Sequence, residues 1–264
     1  MRCNMSRING PDQLYTKNDL FPRHGSTLLM HFIDFPIAQW CCWFPAQQPD
    51  NPMPERLPSD DGSLPPLPFV PVMARRRLTR LTKMALAVAQ PLTGEAPLAT
   101  VFASQHGEVS HTVSLLDAAL AGEPMSPTRF SQSVHNTASG AFGIQFGNTQ
   151  ASTSVSAGEE TLLAALVEAK AQLHRGRDVL VVYVDDPLPD RFQQYRQRDD
   201  GPMALALLLS AQAPHQLSVQ FAEATGQFSE SSLPWTLAKR LSDGPGETHF
   251  DGERRQLRWR YQPC

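Results

Sequence analysis

"TSVSAGEETLLAALVEA", Thr153 to Ala169, changes its period midway. Its first residues alternate hydroxyl and apolar side chains with the two-residue period of a strand. Gly158 then offers a turn, and Leu162, Leu166, Ala169 and Leu173 recur on one stripe of a helix running over about Ala157–Arg175. A strand that turns sharply into a helix is a favourable seat for a nucleophile, because the partial positive charge of the helix N-terminus stabilises an anion. The turn Val155, Ser156, Ala157, Gly158 has hydroxyls beside it in Ser152, Ser154 and Ser156, and Glu159 and Glu160 in the first helical turn. No G-x-S-x-G surrounds them. "SAGE" instead fits a capping box, in which Ser156 accepts from the Glu159 amide and the Glu159 side chain returns to the Ser156 N–H. The capping reading is the stronger, and it accounts for the acidic first turn.

The flanks extend the same alternation. "DVLVVYVDD" (Asp178–Asp186) is a continuous apolar run, the pattern of a strand covered on both faces. Upstream, Leu98–Gln105 reads as a strand and Ser114–Gly122 as a helix closed by its glycine. "SPTRFSQSVHNTASGAFGIQFG" (Ser126–Gly147) is a turn entering a helix over Ser133–Phe146, rich in small residues, and a strand is expected near Thr149–Val155. Met73–Gln90 predicts one helix with Leu78, Leu81, Met84, Ala85 and Val88 on its apolar face. Leu29–Phe44 is a strand, and the proline-rich stretch Pro45–Pro71 is a loop or extended arm. Met203–Gln212 and Gln216–Ala224 read as a hairpin, followed by a helix near Pro234–Leu241 and a last strand Gln256–Tyr261. Together these give a layered α/β domain over residues 30–264 with a mostly buried sheet. Residues 1–29, polar and patternless, read as an extension.

Composition narrows the function classes. The 264 residues are 41% apolar and carry a formal charge of −3, enough for a core and no general attraction to nucleic acid or anionic membrane. No apolar run is long enough for a membrane span, and the start lacks the apolar centre of a signal peptide. Cys3, Cys41, Cys42 and Cys264 have neither zinc nor disulfide-framework spacing, so a reduced, cytoplasmic protein is expected. Neither metal nor cofactor is implied.

Three further constellations carry chemistry on paper. His106, Glu108 and His111 fall within "SQHGEVSH" but lack H-E-x-x-H spacing, so a solvated loop turning at Gly107 is the plainer reading. Asp185 and Asp186 end a strand without a phosphate-binding loop to accompany them, and read as a polar exit. Arg76, Arg80 and Lys83 fall at helical spacing. They make either a solvated face or a dock for an anionic partner such as an acidic carrier protein.

Several of these stretches, in order, resemble the N-terminal half of β-ketoacyl synthases. They are "FIDFPIAQWCCWFP", "LPFVPVMARRRLTRLTKMAL", "VFASQHGE", "SPTRFSQSVHNTASGAFGIQFG", "TSVSAGEETLLAALVEA" and "DVLVVYVDDPLP". The likeness is greatest to the short chain length factors of bacterial aryl-polyene clusters. It implies the first half of the thiolase-like fold, with a mixed five-stranded sheet between helices. It also implies a cysteine at the strand-to-helix turn, where the helix N-terminus lowers its pKa. Val155–Gly158 holds none. The resemblance therefore implies a non-condensing subunit that pairs with an active ketosynthase, shapes its acyl tunnel and meets an acyl carrier protein transiently. By the same analogy His135, Asn136, Gly140, Phe142, Phe146, Thr153 and Val155 would face the partner. The alternatives are a serine acyltransferase or hydrolase using Ser154 or Ser156 with His106 or His135, and a carrier-protein adaptor built on the basic residues.

Overall fold

A computed structural model of the chain describes residues 32–45, 64–173, 177–198 and 201–264. In chain order the elements are β1 (Ile33–Trp43), α1 (Val72–Arg75), α2 (Arg80–Ala89), β2 (Ala99–Ala103), α3 (Val109–Leu120), α4 (Pro127–Ser131) and α5 (Thr137–Phe146). They continue with β3 (Ser152–Val155), α6 (Thr161–Leu173), β4 (Val179–Asp185), β5 (Met203–Leu209), β6 (His215–Glu223), α7 (Leu233–Asp243), β7 (Gly246–Asp251) and β8 (Arg255–Pro263). The extension and most of the proline-rich stretch lie outside the described residues.

The strands form one sheet in the order β3-β2-β4-β5-β1-β6-β8-β7. β2 pairs in parallel with β3 and β4, and the other pairs are antiparallel. Among the described residues eight strands, not five, therefore make up the sheet, because β6, β8 and β7 continue it beyond β1. The expected hairpin of β5 and β6 is also absent: β1 lies between them and pairs with both. Two adjacent apolar runs look alike whether they pair with each other or with a third strand far back in the chain.

Alternation shows why the centre of the sheet is apolar on both sides. In β4, Val179, Val181 and Tyr183 enter the core under α6 and α7, while Leu180, Val182 and Val184 enter a second core with α2 and α5. β5 divides likewise, with Leu205 and Leu207 on one side and Ala204 and Ala206 on the other. In β1 the parity switches. Phe35 and Ile37 share the first core with Trp40 and Cys42, a step from odd to even positions. A register shift between Ile37 and Gln39 inserts one extra residue, which keeps both segments facing that core. Cys41 and Trp43 face the second core.

The helix expected over Met73–Gln90 is broken. α1 ends at Arg75, and Thr79, in an extended conformation, starts α2 by accepting from the Thr82 amide at 3.1 Å. Leu81, Met84, Ala85 and Val88 pack as anticipated. The segment after Ser126 likewise forms two helices, α4 and α5, rather than one from Ser133. Phe142 of α5 lies 5.6 Å from Phe102 and 4.8 Å from Phe146 between ring centroids, which ties α5 to β2.

Candidate functional site: the strand-to-helix turns at the parallel edge

The C-terminal ends of β2, β3 and β4 lie side by side, the position at which open α/β sheets place their sites. Between them is a cleft of about 70 Å3 lined by Gln105, His106, Glu159, Asp185, Asp186 and Arg198 among others. Small-molecule sites run to about 300–1,000 Å3, so this one is largely filled by its own side chains.

The β3–α6 turn is closed by ion pairs. Gly158 takes φ +60°, and a 3-10 turn over Gly158–Glu160 leads into α6. The expected capping box does not form. Ser156 Oγ donates to the Gln105 carbonyl at 3.1 Å, and Thr161, the first residue of α6, reaches back into the turn, its Oγ1 accepting from the Ala157 amide at 2.8 Å and donating to the Gly158 carbonyl at 2.7 Å. Glu159 is drawn away by a partner remote in sequence. Its carboxylate accepts from Arg198 at 3.1 Å, with both side chains 9% exposed, and from the Glu253 amide at 2.6 Å. A Cβ at Gly252 would stand 2.6 Å from Glu159 Oε1, so a side chain there would have to displace the carboxylate from this position. Arg198 also donates to the Ser229 and Asp251 carbonyls and stacks 4.6 Å over the Phe250 ring. Glu160 meets Arg255 through two bonds of 2.8 and 2.9 Å.

The β2–α3 turn is organised by one carboxylate. Asp185, at the end of β4, accepts from Ser104 Oγ at 2.7 Å, the Gln105 amide at 2.8 Å, the His106 amide at 3.1 Å and the Tyr183 hydroxyl. It is an anchor for the loop rather than a polar exit. His135 supports the same loop from outside, with Nε2 donating to the Ser104 carbonyl at 2.9 Å and its ring against Gly107, φ +59°. The loop is not simply solvated either. Glu108 is 6% exposed and accepts from the hydroxyls of Thr79 at 2.7 Å and Thr82 at 3.3 Å. Burial pushes its carboxyl above the ordinary value, against those hydroxyls and the His111 charge. Burial likewise raises Asp186, opposed by Arg80, whose Nε lies 3.0 Å from Oδ1.

These contacts revise the expected residue sets. Arg76 lies outside α2, Arg80 is engaged by Asp186 and Lys83 is half-buried, so the three do not form one free basic face. Phe142 is 1% exposed and serves the core, which removes it from the partner-facing set. Asn136 takes the N-cap position of α5 without a side-chain capping bond, and Gly140 has open space around it. Phe146, Thr153 and Val155 are half-buried. No hydrogen bond joins Ser154 or Ser156 to His106 or His135 among the described residues. Cys41 and Cys42 are buried in β1, away from the turn. Among the described residues no group of three or more His, Cys, Asp or Glu could hold a metal ion, and no helix is long and apolar enough to cross a membrane. Sequence reasoning missed Arg198, Arg255 and the anchoring role of Asp185. Only the position of Asp185 at a strand's C-terminal end offered a signal.

Comparison with known proteins bears directly on this arrangement. The model of the "Beta-ketoacyl synthase, N-terminal domain" family matches residues 43–260. The chain belongs to this family. Among solved structures it is similar to a chain of the ketosynthase (ApeO) in complex with its chain length factor (ApeC) from Xenorhabdus doucetiae, at 25% identity and a TM-score of 0.72. That match covers 86% of this chain and 99% of the other, so the matched chain is the shorter of the two. It is also similar to the ishigamide ketosynthase/chain length factor, at 17% identity and a TM-score of 0.53, covering 73% of this chain and 68% of that one. No curated protein matches the sequence. The fold is thus the thiolase-like fold of ketosynthases, an N-terminal-type domain with a mixed sheet flanked by helices. Within this family, the chain has a strand-to-helix turn without a thiol.

Proposed function

We propose that the chain is a non-condensing ketosynthase-like subunit, a chain length factor, that pairs with an active β-ketoacyl synthase and shapes its acyl tunnel. One observation carries the reading: the turn expected to hold a nucleophile has no cysteine and is tied shut by Glu159–Arg198 and Glu160–Arg255. The 99% coverage of a chain from a ketosynthase–chain length factor complex supports the same role. The product class suggested by the sequence resemblance is a polyketide or fatty acid of the aryl-polyene kind.

The partner surface we assign is the β3 end of the sheet with the outer side of α5. Among the described residues β3 pairs only with β2, which leaves its other edge open. Ser139 of α5 meets Ser152 of β3 at 2.6 Å, and Ile144 on α5 is 88% exposed. Gly140, Thr153 and Val155 belong to this surface, with His135 and Asn136 at its margin. Transient contact with an acyl carrier protein is part of the proposal, although Arg76, Arg80 and Lys83 do not make one free basic face for it.

The experiment is a condensation assay on carrier-bound acyl substrates with the chain alone, a condensing ketosynthase of the same family alone, and the two co-expressed and purified together. The pair should elongate, and alkylation of the ketosynthase cysteine should stop it. Elongation by the chain alone would refute the reading. Hydrolysis or transfer lost in Ser156→Ala would favour the serine enzyme instead.

A further inference from the structure

The side of the sheet away from α6 and α7 is polar where β6, β8 and β7 run together. The register places Gln220, Arg258 and His249 in one row across these strands, and Ser218, Arg260 and Glu247 in the next. Above these rows is a trough of about 520 Å3, lined by all of them but Ser218 and also by Phe32, Thr248 and Gln256, in the size range of small-molecule sites. It is separate from the strand-to-helix turns and plays no part in the proposed pairing.

Two features of the trough lack counterparts within the fold. Gln220 is 7% exposed, yet among the described residues its Nε2 has no hydrogen-bond partner, and a buried donor left unpaired is costly. Arg258 uses Nε on Gln256 Oε1 at 2.7 Å, and among the described residues it forms no ion pair. The acids nearby are already engaged. Glu247 accepts from Arg260 at 2.8 Å, and Asp251 accepts from Gln256 and Thr225 and lies 3.4 Å from His249. One guanidinium without a counter-charge therefore stands beside one enclosed amide donor.

We propose that this trough binds a small molecule bearing an oxyanion, carboxylate or phosphate. The Arg258 Nη groups grip its oxygens and Gln220 Nε2 donates to it. A planar fork with free N–H groups is the side chain that matches either group. The amide supplies a second, uncharged donor.

The test is calorimetric titration of the full chain, co-purified with its partner where the two are obtained together, with acetate and with inorganic phosphate in separate runs. Sodium chloride at matched ionic strength is the control. Saturable binding of at least one oxyanion is expected, weakened about tenfold or more by Arg258→Met and several-fold by Gln220→Leu. Saturation by phosphate alone or by acetate alone identifies the group recognised. Gln220→Leu should unfold at the same or a higher temperature without anion, because it removes an unpaired donor. If Arg258→Met does not fold, Arg258→Lys keeps the charge without the fork and should show an intermediate loss. Heats that do not saturate, heats reproduced by chloride, or affinities unchanged in both variants overturn the proposal.

Discussion

Two turns at the same edge of the sheet are held by carboxylates in opposite ways. In the β2–α3 turn, an acid on the neighbouring strand, Asp185, reaches in and collects the donors of Ser104, Gln105 and His106. In the β3–α6 turn, acids of the 3-10 turn that leads into the helix reach out, Glu159 to Arg198 and the Glu253 amide, Glu160 to Arg255. The first arrangement is local to the parallel strands. The second fastens the helix N-terminus to the antiparallel part of the sheet. In a condensing relative that N-terminus would activate a thiol, whereas here its surroundings bind the protein to itself.

If this contrast is right, the largest loss comes from the outward-reaching turn. Arg198→Met leaves Glu159 buried without its partner and should cost about 3–5 kcal/mol in denaturant unfolding, much of it recovered by adding Glu159→Gln. A single-variant cost below about 1 kcal/mol would mean that the pair is not what closes the turn. In the inward-reaching turn, Asp185→Ala strands several donors at once and should cost about 3 kcal/mol. Hydrogen exchange would then rise at Gln105 and His106 while Glu159–Thr161 stays protected; loosening of both turns together would break the comparison.

A smaller effect separates the two hydroxyls at the turn. Thr161→Val should cost about 1 kcal/mol, whereas Ser156→Ala should stay within about 0.5 kcal/mol because, among the described residues, the one bond of its hydroxyl is exposed. The reverse order in thermal or urea unfolding would restore the capping box. The last effect is recognised by its sign. Glu108 and Asp186 are raised above their ordinary 4.5 and 3.8, so the folded chain holds those protons more tightly than the unfolded one. Lowering the pH from above the raised values toward the ordinary ones adds stability from both groups, and raising it removes that increment. Glu108→Gln should flatten its share, seen as a wild-type minus variant difference that changes with pH across that window. A constant difference would show that Glu108 does not titrate abnormally.

How far the sequence could be read follows the range of the interactions. Helical stripes and the doubly buried β4 are local patterns, so α6, α7 and the layered α/β class were legible. The turn at Gly158 was legible for the same reason. The capping box failed because Glu159 has a choice. The sequence offers it the nearby Ser156 N–H, while the fold supplies a guanidinium 39 residues on and an amide 94 residues on. The placement of β1 between β5 and β6 was hidden likewise, since apolar runs do not specify partners. The break before α2 could be anticipated only from Thr79, an N-cap residue within an otherwise continuous helical stripe. The β7 strand, "GETHFD", is polar on its exposed positions and has too weak an alternation to stand out.

The central claim is that this chain is a partner and not a condensing enzyme. Native mass spectrometry of the chain co-expressed with a condensing ketosynthase tests it most directly. A one-to-one complex is expected, which Ile144→Arg disrupts while leaving the chain folded. A chain that stays apart from the ketosynthase, and carries an acyl group of its own when given acyl thioester, would contradict it.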